Sequence, residues 1–303
     1  MSQRRAKAEL SASKAEAGPE ASETGPLAVI AGGGTLPAAL ADAAASQGRA
    51  VHVIGIRGEA DAKISRFPHT WLKWGEVGKL FATLEGLGCR DLVIIGSVSR
   101  PDLANVRFDF GAIKNLPFLL SLGVGGDDQV LSSVVRFLEG KGYRVCGAGE
   151  VAPELLAAEG TLGDEAPSPD DRADIEIGFR VVSALGHLDV GQAVVVVKRR
   201  VLAIEAAEGT DAMLVRCAEL RKGGRRRGLA GVLVKAPKPG QEERVDLPTI
   251  GPDTVERAAQ AGLAGIAVAA GRVLIADRDA TIAAAGEHGL FLIGQKLACN
   301  QDA

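Results

Sequence analysis

Aromatic residues make up only 4% of this chain, with four histidines and four cysteines, and each scarcity removes a class of function. His52, His69, His187 and His288 stand far apart with no HxH, HExxH or HxxxH pair. That excludes the usual zinc hydrolases and histidine-rich two-metal phosphoesterases. Cys89, Cys146, Cys217 and Cys299 form no CxxC pair, so they read as reduced thiols of a cytosolic protein and not as a disulfide framework. No apolar run reaches the roughly 18–20 residues of a membrane helix. A charge surplus is missing too: 35 basic against 38 acidic residues give no global reason to bind nucleic acid. There is no GxSxG elbow and no GxxxxGK[ST] loop.

What remains is rich in Ala, Val, Leu, Ile and Gly, at 47% hydrophobic and 24% charged over 303 residues. This is the composition of a soluble α/β protein with buried parallel strands. Residues 1–25 lack the apolar core of a secretory signal and read as a disordered extension. From residue 26 strands and helices alternate: "LAVIAGGG", "TLPAALADAAASQG", "AVHVIGI", "WGEVGKLFATLEGLG", "RDLVIIGSV", "DDQVLSSVVRFLEGKG" and "YRVCGAG". Such alternation predicts a Rossmann-like parallel sheet domain over 26–156. The Pro-, Ser- and acid-rich stretch 157–176 reads as a linker. Residues 177–303 then read as a mixed α/β domain with antiparallel pairs. It includes two strands joined by a basic turn at Lys198–Arg200 and a hairpin "AGIAVAAGRVLIAD". A cleft is expected between the two domains.

Several loops could carry chemistry. "AGGGTLP" lies between the first strand and helix, where glycines and a helix N-terminus suit an anion. Gly32 and Gly34 fit the first two glycines of a dinucleotide fingerprint, but Pro37 takes the third position and the second strand ends on Ile56-Arg57 without a ribose-binding acid. Anion contact and a plain tight turn both stay open. Arg100 in "GSVSRPDL" follows a buried strand at the sheet's carboxyl edge. Asp127 and Asp128 in "GGDD" either cap a helix or touch a ligand. "IEAAEGTDAM" brings Glu205, Glu208 and Asp211 within seven residues, which suits a hard cation as well as a helix start. "VKAPKPGQEERVDLPTIGPDT" adds Lys235 and Lys238 beside Asp246 and Asp253, the pairing of cation and carboxylate that a polyphosphate site needs. The run "RKGGRRR" (221–227) either solvates a helix end or attracts anionic lipid.

In this order, "LAVIAGGGTLP", "GSVSRP", "GGDD", "IEAAEGTDAM" and "VKAPKPGQEERVDLPTIGPDTV" resemble the LpxI family of UDP-2,3-diacylglucosamine pyrophosphatases, over residues 27 to 296. The two C-terminal motifs are the specific part. The resemblance implies an enzyme of lipid A biosynthesis with two α/β domains. It would cleave the pyrophosphate of UDP-2,3-diacylglucosamine to UMP and 2,3-diacylglucosamine 1-phosphate (lipid X), with Mg²⁺ and water attacking the α-phosphorus. Carried over by motif, the essential aspartate falls on Asp246 in "RVDLP", as general base or as metal ligand, with Lys235 as its catalytic helper. Glu208, Asp211 and Asp246 are the expected metal ligands. Substrate contacts are expected at Gly33, Gly34, Leu36, Arg100, Asp127 and Asp128 in the first domain. In the second they are expected at Gly209, Thr210, Thr249, Gly251 and Thr254. The implied partner is the lipid-linked UDP-sugar; the reading allows contact with an anionic membrane surface at the inner face of the inner membrane, and a homodimer. The competing reading is a non-catalytic nucleotide-sugar or lipid-phosphate binding protein. Locally, Asp253 is explained by capping the next helix, whereas Pro248 holds Leu247 extended and leaves Asp246 with no helix to cap.

Overall fold

The computed structural model describes residues 25–99, 106–116, 118, 127–222 and 230–297. Arg100, the glycines before Asp127, Cys299 and most of the basic run lie outside the described residues, as does the side chain of Asp127. The chain begins with β1 (Leu27–Ala31), α1 (Leu36–Ser46), β2 (Val51–Ile56), β3 (His69–Leu72), α2 (Val77–Gly86) and β4 (Asp91–Ile95). It continues with α3 (Phe110–Lys114), α4 (Asp127–Gly140), β5 (Arg144–Val145) and α5 (Ala148–Val151). These strands form one parallel sheet in the order β3-β2-β1-β4-β5. Leu27, Ala28, Val29 and Ala31 of the central β1 are fully buried, as a strand covered on both faces must be. Pro37 sits in the first turn of α1, where its missing N–H costs nothing. β3 was not expected from sequence. Four residues behind Pro68 are too short to show a period, and the strand exists because β2 offers it an edge.

The second sheet takes β6 (Gly160–Thr161), β7 (Ala193–Val197), β8 (Arg200–Ile204), β9 (Val232–Lys235), β11 (Gly265–Ala269) and β13 (Phe291–Gln295). Its order is β6-β13-β11-β9-β7-β8: β9, β11 and β13 run parallel, while β7, β8 and β6 join antiparallel. Helices α6 (Pro169–Gly186), α7 (Gly209–Lys222), α8 (Pro252–Gln260) and α9 (Arg278–Glu287) complete this unit. The α6 crossing of β9 is tight, since a Cβ on Gly178 would lie 2.3 Å from Val234 Cγ2.

Two expectations need correcting. Residues 157–176 are no free linker: Gly160–Thr161 pairs with β13, and α6 starts at Pro169 behind a capping box. The Ser168 hydroxyl accepts from Asp171 N at 3.2 Å and the Asp171 carboxylate accepts from Ser168 N at 3.0 Å. Ser, Pro and Asp read as loop residues, yet the same residues in the order S-P-D-D start a helix. Second, "AGIAVAAGRVLIAD" is not a hairpin. β11 lies in the large sheet, whereas β12 (Leu274–Ile275) pairs in parallel with β10 (Thr249–Ile250) in a separate two-stranded sheet. The basic turn is as expected, with Lys198 and Arg199 both at positive φ. Buried Asp174 holds it by accepting from Lys198 N at 2.9 Å and from Arg199 N.

Where the two units meet, the loop that follows β9 lies on the first one. Val245 packs on the apolar cluster of Leu84, Leu92 and Tyr143, and Leu247 on the cluster that contains Leu36, Leu40 and Cys146. Leu274 joins the second of these clusters and bridges to Leu156. Arg244 pairs with Glu139 of α4 at 2.6 Å and with Glu242 at 2.7 Å. No helix among the described residues is long and apolar enough to cross a membrane.

Candidate active site

Strand register builds the site. β7 lies between β8 and β9 and runs antiparallel to both, so its start stands beside their ends. Ala193 is therefore opposite Lys235, and Glu205 N donates to Ala193 O at 2.9 Å. Gln192, Lys235 and Glu205 thus come together at one sheet edge although up to 43 positions separate them in the chain.

Lys235 is 8% exposed at the last position of β9. Its Nζ donates to Thr210 Oγ1 at 2.8 Å and to the Thr249 carbonyl at 3.0 Å. Thr210 Oγ1 in turn donates to Glu205 Oε1 at 2.6 Å, and Glu205 Oε2 accepts from Gln192 N at 2.8 Å. Burial drives the Lys235 ammonium below its ordinary pKa; the charges of Glu205, Asp211 and Asp246 oppose this. Three of the expected positions, Lys235, Thr210 and Thr249, therefore form one hydrogen-bonded group.

Asp246 forms a second group. Gln241 Nε2 donates to its carboxylate at 2.7 Å and to its carbonyl at 2.6 Å, while Gln192 Nε2 reaches the same carboxylate oxygen at 3.4 Å. Burial pushes the Asp246 carboxyl above the ordinary value, Lys238 and Gln241 pull it down, and Asp128 pushes it up. Asp128 comes from the other unit: its Oδ1 accepts from Glu242 N at 2.8 Å. So the first unit's α4 and the second unit's loop place two carboxylates in each other's field. Lys238 is itself buried and ion-paired with Asp189.

Other expected residues fall elsewhere. Glu208 is paired with Arg216 at 2.6 Å and Asp211 with Arg257 at 3.3 Å. The trio Glu208, Asp211 and Asp246 does not converge, and among the described residues no group of three His, Cys, Asp or Glu could hold a metal ion. Gly209 opens α7 at φ +80°, in the left-handed region. Gly251, not Asp253, occupies the N-cap of α8; Asp253 lies in the first turn. Thr254 Oγ1 accepts from Gly251 N at 3.3 Å. With no capping side chain, this helix start leaves backbone donors for an anion near Thr249. In the first unit, Gly33 forms a bridge with Ser97, Gly34 takes φ +87° with open space beside it, and Leu36 is buried in the core. Gln192 and Gln241 were missed because glutamine has no motif; only the proximity of Gln241 to Asp246 hinted at a role.

The arrangement offers a desolvated carboxylate, a buried ammonium and an uncapped helix start within one region. This suits attack on a phosphate ester or anhydride. The comparisons with known proteins agree. Residues 26–155 match the LpxI N-terminal domain and residues 158–293 the LpxI C-terminal domain. The UDP-2,3-diacylglucosamine pyrophosphatase LpxI of Caulobacter vibrioides is 47% identical over 270 residues, covering 88% of this chain and 96% of the relative.

The role of Gln241 is open to a direct check. Gln241→Leu removes a donor that favours the charged carboxylate, so the Asp246 pKa should rise further. Carbon-13 NMR titration of the aspartate carboxyl groups would show it; an unchanged Asp246 titration would contradict the geometry.

Proposed function

The chain belongs to the LpxI family, and from that premise we propose that it hydrolyses UDP-2,3-diacylglucosamine to UMP and 2,3-diacylglucosamine 1-phosphate. The 47% identity to a pyrophosphatase of that name, spanning both units, carries the reading. Water attacks the α-phosphorus; the bond to the bridging oxygen breaks, and that oxygen leaves with the sugar phosphate. Asp246 takes the proton of the attacking water. A buried carboxyl with a raised pKa suits a general base, and Gln241 and Gln192 hold it in place. Lys235 stabilises charge on the phosphoryl oxygens, assisted by the start of α8.

Magnesium is part of the proposal, with a ligand set other than the expected trio. The ion is commonly held by one or two carboxylates and the substrate's own phosphates. Asp128, whose charge acts on Asp246 from the other unit, fits that need, so Asp128 would hold the ion and Asp246 the water. When bound, the ion neutralises charge on the pyrophosphate. We also place the protein at an anionic lipid surface on the cytoplasmic side. Phe110 and Ile113 on α3 are 73% and 55% exposed beside Lys114, which supports such contact.

Hydrolysis in ¹⁸O-labelled water with Mg²⁺ should put the label in UMP. Label in the sugar phosphate would move the attack to the other phosphorus, and no UMP release would leave only a binding protein. Asp246→Ala should lower kcat by about 10²–10⁴-fold, the usual share of a general base. Asp128→Asn should raise the Mg²⁺ concentration needed for half-maximal rate, an effect that Asp246→Asn should lack; the reverse pattern would exchange their roles. Phe110→Asp should weaken co-sedimentation with phosphatidylglycerol vesicles, and equal binding would remove α3 from the lipid contact.

A further inference from the structure

Glu205 follows β8 and is 8% exposed; the sequence offered it only as one of three carboxylates suited to a cation or a helix start. Its two carboxylate oxygens lead to different parts of the site. Oε1 accepts from Thr210 Oγ1, which accepts from Lys235 Nζ. Oε2 accepts from Gln192 N, and the Gln192 side chain reaches Asp246. Gly191, at φ +54°, is pressed against the same residue: a Cβ there would fall 2.1 Å from the Glu205 carbonyl oxygen.

We propose that Glu205 is a positioning residue for the hydrolysis: it fixes the Lys235 ammonium through Thr210, and the arm that steadies Asp246 through the turn at Gly191–Gln192. This rests on the reading of Lys235 and Asp246 given above. Hydrogen-bond direction carries the argument. Gln192 N can only donate, so Oε2 must accept from it. Lys235 Nζ also only donates, so Thr210 accepts from it and turns its own proton to Oε1. A carboxylate accepts from both partners with separate oxygens; an amide that accepts from Gln192 N turns its NH₂ group to Thr210 and leaves the hydroxyl proton without its acceptor. The charge matters as well. The charged groups around Lys235 are Glu205 after β8, Asp211 on α7, Asp246 in the loop and Arg257 on α8, which is paired with Asp211. Of the carboxylates, Glu205 opposes the effect of burial most.

A purely structural Glu205 would tie the end of β8 to the start of α7 and alter only stability. The test uses Glu205→Gln, Thr210→Val and the double variant in the full chain. Each single change should lower kcat by about 10–100-fold, the scale of a displaced catalytic group, with KM within about threefold. The double variant should lose less than the product of the single losses, because the two residues act in series. Thr210→Ser keeps the hydroxyl and should recover most of the kcat that Thr210→Val loses. Independently of turnover, NMR of the Lys235 side chain should show the ammonium losing its proton at lower pH in Glu205→Gln than in the unaltered protein. An unmoved kcat and an unmoved Lys235 titration in Glu205→Gln would overturn the proposal. Should that variant not fold, Thr210→Val decides: its unchanged kcat would overturn it. If the unaltered protein releases no UMP, the hydrolase reading falls, and the Lys235 titration alone decides whether Glu205 sets the ammonium.

Discussion

Three consecutive residues set the position of the Asp246 carboxylate. In Val245-Asp246-Leu247 the two apolar side chains pack on clusters of the first unit, while the aspartate between them meets Gln192 and Gln241 of the second. The backbone between them is fixed as well, since Val245 N and Asp246 N both donate to Glu242 O at 3.1 Å and close a turn. Asp246 is therefore held by both units at once. The Glu242 N to Asp128 hydrogen bond and the Arg244–Glu139 pair lock the same loop to α4.

That position is costly for a charge. Removing a carboxylate from water costs several kcal/mol even after relaxation. A hydrogen bond to a charged group returns about 1.5–3 kcal/mol. One short bond from Gln241, one longer bond from Gln192 and the attraction of Lys238 offset only part of that cost. The raised proton affinity of Asp246 is the remainder. Lys235 shows the same economy with opposite sign: two hydrogen bonds and three nearby carboxylates do not fully offset its burial. In both groups burial disfavours the charged form more than the partners restore it.

The strand–helix alternation of the first unit was legible because its long apolar runs and amphipathic helices repeat at fixed periods. Asp246, Lys235, Thr210 and Thr249 were legible as candidates because they lie at strand ends, at a helix start or in the loop between strands. The expected metal trio failed for a physical reason. Glu208, Gly209, Thr210 and Asp211 are adjacent in the chain, but Thr210 and Asp211 stand about 100° apart round the helix, and arginines take up both acids. Thr210 turns toward Lys235, while Glu208 and Asp211 turn to Arg216 and Arg257. Adjacency in a motif is not convergence in space. β12 was misread for a related reason, since two short apolar runs joined by a glycine turn fit a hairpin as well as strands of different sheets.

The glycine loop is narrowed by the structure in the same way. A Cβ on Gly32 would lie 2.4 Å from Ser97 O, and one on Gly33 would lie 2.8 Å from Ser97 Oγ. Both glycines are thus demanded by the contact between the ends of β1 and β4, with no ligand needed to explain them. Gly34 differs, because its positive φ turns the chain into α1 and nothing stands within 4 Å of its Cβ position. Only there does the loop leave room for a phosphate or sugar. The clusters tie this place to the catalytic loop: Leu36, two residues on, shares its apolar cluster with Leu247. The turn at Gly34 therefore stands on the same packed layer that holds Leu247, the neighbour of Asp246.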